Sequence, residues 1–493
     1  MSDTRPLIVG IDGGTTAVKV ALFDSHLNEL YSSSRGIDTF HPQPGWVEQD
    51  PEEVLDAVIS LVAEVLDQSD VPVGACGLDH QGESVVAWDS KTGEPLSPII
   101  VWQDKRSVEQ ISKIKKNGGG EEITRKTGLP LDPYFSAGKF SWLLQHSGRV
   151  AEALGAGRLR MGTVDSFLCD RLGNRFATDP STASRTQLCE LGATQWDQWL
   201  LDQFGIPMNC LPAIDSSYGD LAMLSHETWS QDLHLSAQVC DQQAALAGAG
   251  CVTPGGIKAT FGTGVFVLAN VGDSPPANHG SLIPTVAWGR RGEITYALDG
   301  GVFSAGSLLE WLCRELGLAG SPEELGLMAR EADGSSTVRI LPALAGLGAP
   351  WWRNEASGAI VGLSGDSTRS HIARAAFEAI AWRVADIIEA MPPEFEIDVL
   401  RVDGGLTNET LMVQLVADAT GKVIEVGGAE ATVTGSAGLA AVGAGFLDGV
   451  DAIEPLIPTA SRFTPSIDRD ERRIGHAAWK EFVETCSLLQ TRR

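Results

Sequence analysis

The sequence lacks the long apolar runs that cross a membrane. No stretch reaches about 18 strongly apolar residues, and the run at residues 437–445 is short and only weakly hydrophobic. The first ten residues, MSDTRPLIVG, contain no apolar core of a secretory signal. We therefore expect a cytoplasmic protein that does not associate with membranes.

Positive charge is scarce. The 493 residues include 37 Lys and Arg against 64 Asp and Glu, which gives a net charge of -27 at pH 7. A field of this sign repels nucleic acid and anionic membranes, so we expect neither as a partner. It also opposes an anionic nucleotide at long range. A nucleotide site must therefore depend on local backbone donors and Mg²⁺.

Cysteine pairs and the common nucleotide motifs are absent as well. The eight cysteines include no C-x-x-C pair and no Cys/His cluster at zinc-ligand spacing, which favours reduced, mostly buried thiols. The sequence contains no G-x-x-x-x-G-K-[ST] and no G-x-G-x-x-G between a strand and a helix. It also contains no H-E-x-x-H. If the protein binds ATP, it must hold the phosphates in another way.

The sequence does contain a glycine turn between two apolar runs. Residues 7–11 and 18–23 are apolar, and the Asp-Gly-Gly-Thr-Thr at 12–16 has turn composition, so we expect strand–turn–strand. Backbone N–H groups in such a turn can form an anion nest, to which threonine hydroxyls add donors. Asp12 could hold Mg²⁺ there, and Lys19 could reach back as a point charge. A plain hairpin with glycines for turn geometry is the alternative.

Asp-Gly-Gly after an aliphatic residue occurs three times, at residues 11–14, 298–301 and 402–405. A related Phe-Gly-Thr-Gly turn at 261–264 also lies between apolar runs. This recurrence predicts an internally duplicated α/β architecture. Apolar residues at helical spacing over 371–391 predict an amphipathic helix that lies on a core.

The length of the chain predicts at least two domains. We place the boundary at residue 245, which gives an N-terminal domain of residues 1–245 and a C-terminal domain of residues 246–493. One glycine turn from each half would suit a nucleotide held in the cleft between them.

Ten segments spread along nearly the whole chain carry a resemblance to a known family. They are residues 10–16, 44–48, 100–103, 132–136, 162–165, 183–186, 241–245, 261–264, 346–351 and 401–405. In their order and spacing, the chain resembles the FGGY carbohydrate kinases, and within them the glycerol kinases.

The resemblance implies an α/β, two-domain, actin-like (ribonuclease H-like) fold with ATP and substrate in the interdomain cleft. It implies ATP-dependent phosphorylation of a hydroxyl of glycerol or a closely related small polyol, with Asp241 as the general base. Phosphoryl transfer needs mainly positioning, charge neutralisation and one carboxylate to receive the proton, so this role is chemically sound. A homodimer or homotetramer is common in the family and is expected here.

The resemblance also implies two sets of binding residues. The positions that match the family's substrate pocket are Glu83, Trp102, Tyr134, Asp241, Gln242 and Phe266. The positions that match its ATP site are Thr15, Thr16, Lys19, Thr263, Gly306, Glu310 and Gly405. Core packing is the alternative for the three aromatic side chains. Gly300 and Gly301 match neither set and are expected to be structural.

Gly82 is the most informative departure from the family pattern. Glycerol kinases carry an arginine there that hydrogen-bonds glycerol, so we expect fewer donors and more space in this pocket. A site built to bind particular hydroxyls discriminates strongly, which makes a four- or five-carbon polyol or ketose (erythritol, a pentitol or a pentulose) an alternative substrate. Gln81 or a water would then supply the missing contact.

The nucleotide site departs from the pattern at three positions. Lys19 replaces an arginine, which keeps the charge but loses the bidentate geometry. Glu310 replaces a glutamine. Glu409 stands where an asparagine near the adenine is usual, and Asn408 beside it can compensate.

Two functions of another class share some of these features. An actin-like ATPase switch would use the phosphate turns but has no need of the polyol pocket. A polyol sensor without catalysis would not need both Asp12 and Asp241.

Residues 216–236, which precede the catalytic motif, contain no arginine. This predicts no regulation by fructose 1,6-bisphosphate through that loop.

Overall fold

The computed structural model describes residues 6–276, 279–332, 336–393, 395–428 and 430–488. The strands within these ranges are Leu7–Gly13 (β1), Ala17–Phe23 (β2), Glu29–Gly36 (β3), Glu48–Gln49 (β4), Val73–His80 (β5), Val85–Asp89 (β6), Ile99–Ile100 (β7), Leu159–Thr163 (β8), Ala177–Thr178 (β9), Cys189–Glu190 (β10), Gln195–Trp196 (β11), Ala213–Ile214 (β12), Tyr218–Leu224 (β13), Leu233–Cys240 (β14), Ile257–Phe261 (β15), Val265–Gly272 (β16), Ile283–Arg290 (β17), Glu293–Val302 (β18), Arg339–Leu341 (β19), Ala359–Val361 (β20), Val399–Asp403 (β21), Val423–Val426 (β22) and Ser461–Phe463 (β23).

The helices in the same ranges are Pro51–Leu66 (α1), Val108–Lys116 (α2), Gly120–Thr127 (α3), Ser136–His146 (α4), Gly148–Gly155 (α5), Val164–Gly173 (α6), Pro180–Ala183 (α7), Gln198–Phe204 (α8), Asp241–Gly248 (α9), Gly306–Arg314 (α10), Pro322–Arg330 (α11), Arg369–Glu389 (α12), Thr410–Thr420 (α13), Ala431–Gly443 (α14) and Arg469–Leu488 (α15). Short 3₁₀ segments lie at Met208–Cys210, Gly405–Asn408 and Val450–Leu456. Among the described helices, none is both long enough and apolar enough to cross a membrane.

Two large sheets repeat one arrangement of strands. The first sheet has the order β13-β14-β5-β1-β2-β3, and the second has the order β17-β18-β16-β15-β21-β22-β23. In the first sheet the hairpin β1–β2 joins the parallel strands β5 and β14. In the second sheet the hairpin β15–β16 joins the parallel strands β21 and β22. The predicted α/β fold and its internal duplication are therefore confirmed.

The central strands are buried because helices cover the sheets. The first five residues of β1, LIVGI, are all buried, as expected for a strand covered on both faces. Helix α14 lies directly on this sheet, since a Cβ at Gly77 of β5 would be 2.1 Å from the carbonyl oxygen of Ser436. Only glycine permits so close an approach.

Helices α9 and α14 join the two halves of the chain. A Cβ at Gly248 of α9 would lie 1.8 Å from the carbonyl oxygen of Ala431, and one at Gly435 of α14 would lie 1.8 Å from that of Ala244. Although α14 belongs to the C-terminal part of the sequence, it contacts β1, β5 and β14 of the first sheet. One apolar cluster therefore includes residues of both halves, such as Val239 and Leu439.

The local predictions can be compared with these elements. The turn at 12–16 does connect two antiparallel strands, and the helix predicted at 371–391 is α12, which begins with a capping box at Thr368. The expectation for residues 298–301 needs correction. They lie inside β18, where pairing with β16 and β17 keeps them extended instead of forming a third turn.

Candidate active site

Three acidic residues lie at or just after the carboxyl ends of neighbouring parallel strands. Asp12 pairs with Asp79 across β1 and β5, and Cys240 at the end of β14 pairs with His80. Glu83 follows β5, and Asp241 follows β14. Because parallel strands end at the same edge of a sheet, Asp12, Glu83 and Asp241 lie at one edge, which is where open α/β sheets usually bind ligands.

A buried guanidinium connects the two sheets at this edge. Arg185 Nε donates to Glu83 Oε1 over 2.7 Å, and Arg185 Nη1 lies 2.9 Å from Asp299 Oδ2. Asp299 belongs to β18 of the second sheet, so the ion pairs cross between the sheets. Arg185 and Glu83 are only 6% and 5% exposed. Residues 183–186 carry part of the family resemblance, but nothing in the sequence predicted a role for Arg185.

Trp102 and Tyr134 form the aromatic side of the same site. Their ring centroids are 5.4 Å apart at an interplanar angle of 62°. Trp102 Nε1 donates to Thr15 Oγ1 over 3.0 Å. Trp102, one of the predicted polyol residues, thus contacts the first glycine turn directly.

Lys139 holds the loop that carries Tyr134. Its Nζ donates to the carbonyl oxygens of Pro133 at 3.1 Å and Phe135 at 3.3 Å, and also to that of Tyr134. The side chain is completely buried on α4, and burial lowers the pKa of Lys139 to about 7. Three carbonyl acceptors around one amine favour its charged form. No sequence pattern pointed to this residue.

Asp241 is the first residue of α9, where the helix dipole favours negative charge. Its Oδ1 accepts from the backbone N–H of Gln242 over 2.6 Å. Desolvation raises the pKa of Asp241 above its ordinary value, and the charge of Glu83 raises it further. Lys258, which sequence reasoning also missed, donates to Gln242 Oε1 over 2.7 Å. The amide N–H groups of Gln242 therefore remain available as donors.

Asp12 and Asp79 form a second acidic pair. Desolvation raises the pKa of Asp12 to about 7. Burial, followed by the charge of Asp12, raises the pKa of Asp79 well above its ordinary value. Asp79 is completely buried, and neither of its carboxylate oxygens has a hydrogen-bond partner within the described part of the chain. Such a carboxylate requires either a proton or a cation.

The remaining residues of the first turn differ in their surroundings. Thr16 is exposed. Lys19 forms ion pairs with Glu430 at 2.9 Å and Glu29 at 3.6 Å, so its charge is shared between two carboxylates. Phe266 lies across the cleft on β16, where it packs beside Gly301.

The second glycine turn contacts the start of α10. The backbone N–H groups of Ala305 and Ser307 donate to the carbonyl oxygen of Thr263 at 3.0 and 3.1 Å. A Cβ at Gly306 would lie 2.6 Å from the carbonyl oxygen of Gly262, so the contact requires glycine. Thr263 is exposed, as is Glu310 one turn further along α10.

The loop after β21 reaches the same edge of the second sheet. Gly404 has φ +92°, and a Cβ there would lie 2.4 Å from the carbonyl oxygen of Phe261. Gly405 follows with no atom within 4 Å of its Cβ position, and Asn408 is exposed. The structure thus brings Thr263, Gly306 and Gly405 together.

Comparison with known proteins decides the family. The sequence model for the N-terminal domain of the FGGY family of carbohydrate kinases matches residues 7–248. The model for its C-terminal domain matches residues 257–444. The chain belongs to the FGGY family of carbohydrate kinases.

Several individual FGGY kinases are similar along their whole length. A glycerol kinase of Citrifermentans bemidjiense is 39% identical over 485 residues, which cover 97% of this chain and 98% of that protein. A glycerol kinase of Lactobacillus acidophilus is 36% identical over 493 residues, with 98% of each chain covered. The crystal structure of Plasmodium falciparum glycerol kinase with ADP has a TM-score of 0.91 at 31% identity, with 98% of each chain covered. A xylulose kinase of Lactobacillus acidophilus has a TM-score of 0.89 at 23% identity over 99% of each chain, which shows the fold alone.

The environment of Gly82 in this FGGY kinase corrects the sequence analysis. A Cβ at residue 82 would lie 2.4 Å from the Sγ atom of Cys240, so the expected extra space is occupied by that sulfur. Gln81 is completely buried and engaged, because it donates to Gln49 Oε1 at 2.8 Å and accepts from Ser84 Oγ at 2.7 Å. It is therefore not available to replace the missing arginine.

Glu409 also has a defined partner in this kinase. Its side chain forms an ion pair with Arg330 of α11 and accepts from the backbone N–H of Leu411 at the start of α13. The acid at this position therefore caps a helix and neutralises a cation.

Proposed function

We propose that this carbohydrate kinase transfers the terminal phosphoryl group of ATP to a hydroxyl of glycerol. The observation that supports this best is the cluster at the strand ends, where Asp241, Glu83 and the Trp102–Tyr134 pair adjoin the Thr15 turn. The glycerol kinases described above are similar over the full chain, which supports the same substrate.

Asp241 is proposed to act as the general base. The hydroxyl oxygen forms a bond to the phosphorus as the bond from that phosphorus to the bridging oxygen of ATP breaks, and the hydroxyl proton passes to the carboxylate. Glu83 and Gln242 would bind the hydroxyl groups, as acceptor and donor respectively. Trp102, Tyr134 and Phe266 would cover the carbon atoms of the polyol.

The nucleotide is proposed to lie between the two glycine turns. Thr15, Thr16 and Thr263 would donate to its phosphates, with Lys19 adding charge. The adenosine side of the site would be formed by Gly306, Glu310, Gly405 and Asn408. This assignment is supported by the contacts between Thr263 and the start of α10 and by the approach of Gly404 to Phe261.

The residues around Asp12 fit a divalent cation. No group of three or more metal-ligating side chains occurs among the described residues. However, Mg²⁺ in a nucleotide site is usually held by one or two carboxylates together with phosphate oxygens. Asp12 would hold it, and the orphaned carboxylate of Asp79 behind it adds negative charge. When bound, Mg²⁺ would neutralise phosphate charge, and Asp12 and Asp79 would orient it.

Glycerol is favoured over a four- or five-carbon substrate by the surroundings of residue 82. The longer substrate requires room that the Cys240 sulfur fills. Arg185, buried beside Glu83, also keeps one guanidinium in the pocket although Gly82 has none.

Three further expectations are part of the proposal. They are a domain boundary near residue 245, a homodimer or homotetramer, and a location in the cytoplasm. Light scattering of the purified protein tests its oligomeric state. The absence of regulation through residues 216–236 also stays a prediction.

An ADP-release assay tests the proposed substrate. The protein with ATP and Mg²⁺ would be compared on glycerol, erythritol, D-threitol, ribitol, D-arabitol, D-xylulose and D-ribulose. We expect the highest kcat/KM on glycerol. A clear preference for a longer polyol or a ketose would contradict the proposed substrate, and no activity on any of them would contradict the proposed reaction.

A further inference from the structure

A second cavity lies in the C-terminal half, between α12, the loop at 391–397, the end of α13, and α15. Its volume is about 520 Å³, a size typical of small-molecule sites. None of its lining residues belongs to the candidate active site. The lining residues are Ala385, Ile388, Glu389, Met391, Pro392, Pro393, Phe395, Ile397, Ala419, Thr420, Lys422, Arg469, Arg472, Arg473, His476, Ala477 and Lys480.

Positive charge is concentrated in this cavity. Five of the 17 lining residues are Lys or Arg, whereas only 37 of the 493 residues of the chain are. Among the described residues of the lining, Glu389 is the single acidic one. In a chain of net charge -27, such a concentration opposes the general field and makes the cavity a local site for an anion.

Three of the five cations have no anionic partner among the described residues. Lys480 pairs with Glu389, and Arg473 lies 3.7 Å from Asp470. The side chains of the other three have neither an ion pair nor a hydrogen bond within the described ranges; they are Lys422, Arg469 and Arg472. Glu394, which is adjacent in sequence to two lining residues, lies outside those ranges.

The unpaired cations come from two separate elements. Lys422 follows α13, while Arg469 and Arg472 are in the first turn of α15. Lys422 and Arg472 are partly buried, so their charges are screened less by solvent than charges at an open surface. Two guanidinium groups and an ammonium suit the oxygens of a phosphate group, which arginine can bind in a bidentate manner.

The rest of the lining is apolar. Ile388, Met391 and Ile397 are buried at its floor, and Phe395 and two prolines extend it. Inorganic phosphate would leave this surface uncovered. A ligand with a carbon skeleton would cover it, and removing this apolar surface from water favours binding.

We propose that this cavity binds a small organic phosphate. The phosphate group contacts Lys422, Arg469 and Arg472, and the carbon skeleton lies on the floor formed by Ile388, Met391 and Ile397. The site is separate from the proposed phosphoryl-transfer site and does not depend on the identity of the polyol.

Isothermal titration calorimetry with phenyl phosphate tests the proposal. ADP and Mg²⁺ are kept at saturation, so that the probe does not bind at the nucleotide phosphates. The double variant Lys422→Gln/Arg472→Gln is compared with Lys115→Gln/Lys116→Gln, which removes two exposed cations of α2 and changes the net charge equally. We expect the first variant to bind at least tenfold more weakly than the wild type and the second to bind like it.

Inorganic phosphate and phenol serve as partial probes, and both are expected to bind at least tenfold more weakly than phenyl phosphate. If the two double variants bound phenyl phosphate with equal affinity, the proposed site would be wrong. If inorganic phosphate bound as tightly as phenyl phosphate, the proposal that the ligand is organic would be wrong. If phenol bound as tightly as phenyl phosphate, the proposed role of the cations would be wrong. If thermal melting shows that Lys422→Gln/Arg472→Gln is unfolded, Arg469→Gln takes its place with the same expectations.

Discussion

At the scale of single residues, Glu83 and Asp241 form an electrostatic pair that gives a pH prediction. As the proposed general base, Asp241 must be ionised to accept a proton, so kcat/KM should fall as the pH drops through its pKa. Desolvation and the charge of Glu83 both raise that pKa. Glu83→Gln removes the second contribution, so the acid limb of the kcat/KM profile should move to lower pH.

The profile would be measured for the wild type and for Glu83→Gln with saturating ATP, and Asp232→Asn serves as a control because Asp232 is exposed. An acid limb at the same pH in Glu83→Gln would show that another group limits activity.

Gly82 and Cys240 form a steric pair. An arginine at 82 would meet the Cys240 sulfur 2.4 Å from its Cβ, so Gly82→Arg alone should overpack the pocket and destabilise the protein by about 1–3 kcal/mol. The double variant Gly82→Arg/Cys240→Gly should recover stability and bind glycerol more tightly than the single variant. Urea unfolding and glycerol KM check both expectations, and equal effects of the single and double variants would contradict the steric account.

The sequence predicted which candidate residues lie close together, but it did not predict the charged residues that contact them. Thr15, Trp102 and Tyr134 do lie together, and so do Thr263, Gly306 and Gly405. Arg185, Lys139 and Lys258 were missed because an isolated Lys or Arg has no local pattern; each matters only through contacts with distant segments. The expected space at Gly82 was wrong because a residue 158 positions later fills it.

At the scale of secondary structure, α4 supports the loop that carries Tyr134 through Lys139. Lys139→Met keeps a similar volume but removes the donor to the carbonyls of residues 133–135. We expect the free energy of unfolding to fall by about 1–3 kcal/mol and the glycerol KM to rise, because Tyr134 loses its support. Urea unfolding and steady-state kinetics measure the two effects. An unchanged KM together with lower stability would show that the loop does not position the substrate.

The elements themselves were predictable where local and tertiary preferences agree. The runs that became β1 and β2 are apolar and flank a glycine turn, and α12 has an apolar face of helical period. Asp299, Gly300 and Gly301 have turn composition but lie in a strand, because pairing on both sides of β18 outweighs local preference. The contact of α14 with the first sheet could not be predicted, because no pattern within the sequence of the helix indicates which sheet it packs on.

At the scale of the whole molecule, Asp299 and Arg185 connect the two sheets across the cleft. Asp299→Asn removes one of the two carboxylates that neutralise a buried guanidinium. We expect a loss of about 2 kcal/mol in the free energy of unfolding and a higher glycerol KM, because Arg185 also orients Glu83. Asp273→Asn, at an exposed position of the same half, is the control. If Asp299→Asn had the same free energy of unfolding and the same glycerol KM as the wild type, the ion pair between Asp299 and Arg185 would not be important.

The duplicated fold follows from the whole chain. Two hairpins, each joined to two parallel strands, place one glycine turn on either side of a common cleft. The recurrence of strand and glycine turn predicted this duplication, yet the Asp-Gly-Gly copies at residues 12 and 403 follow non-equivalent strands, β1 and β21. The recurrence of the motif therefore predicted a duplicated architecture, but it did not predict which strands of the two sheets are equivalent.

The central claim is that this kinase phosphorylates glycerol with Asp241 as the base. The most direct measurement is ³¹P NMR of a reaction with ATP, Mg²⁺ and glycerol, run in parallel with the wild type and Asp241→Asn. We predict a glycerol phosphomonoester and ADP in equal amounts with the wild type, and a rate about 10²–10⁴-fold lower with Asp241→Asn. Inorganic phosphate in place of the ester, or an undiminished rate with Asp241→Asn, would contradict the account.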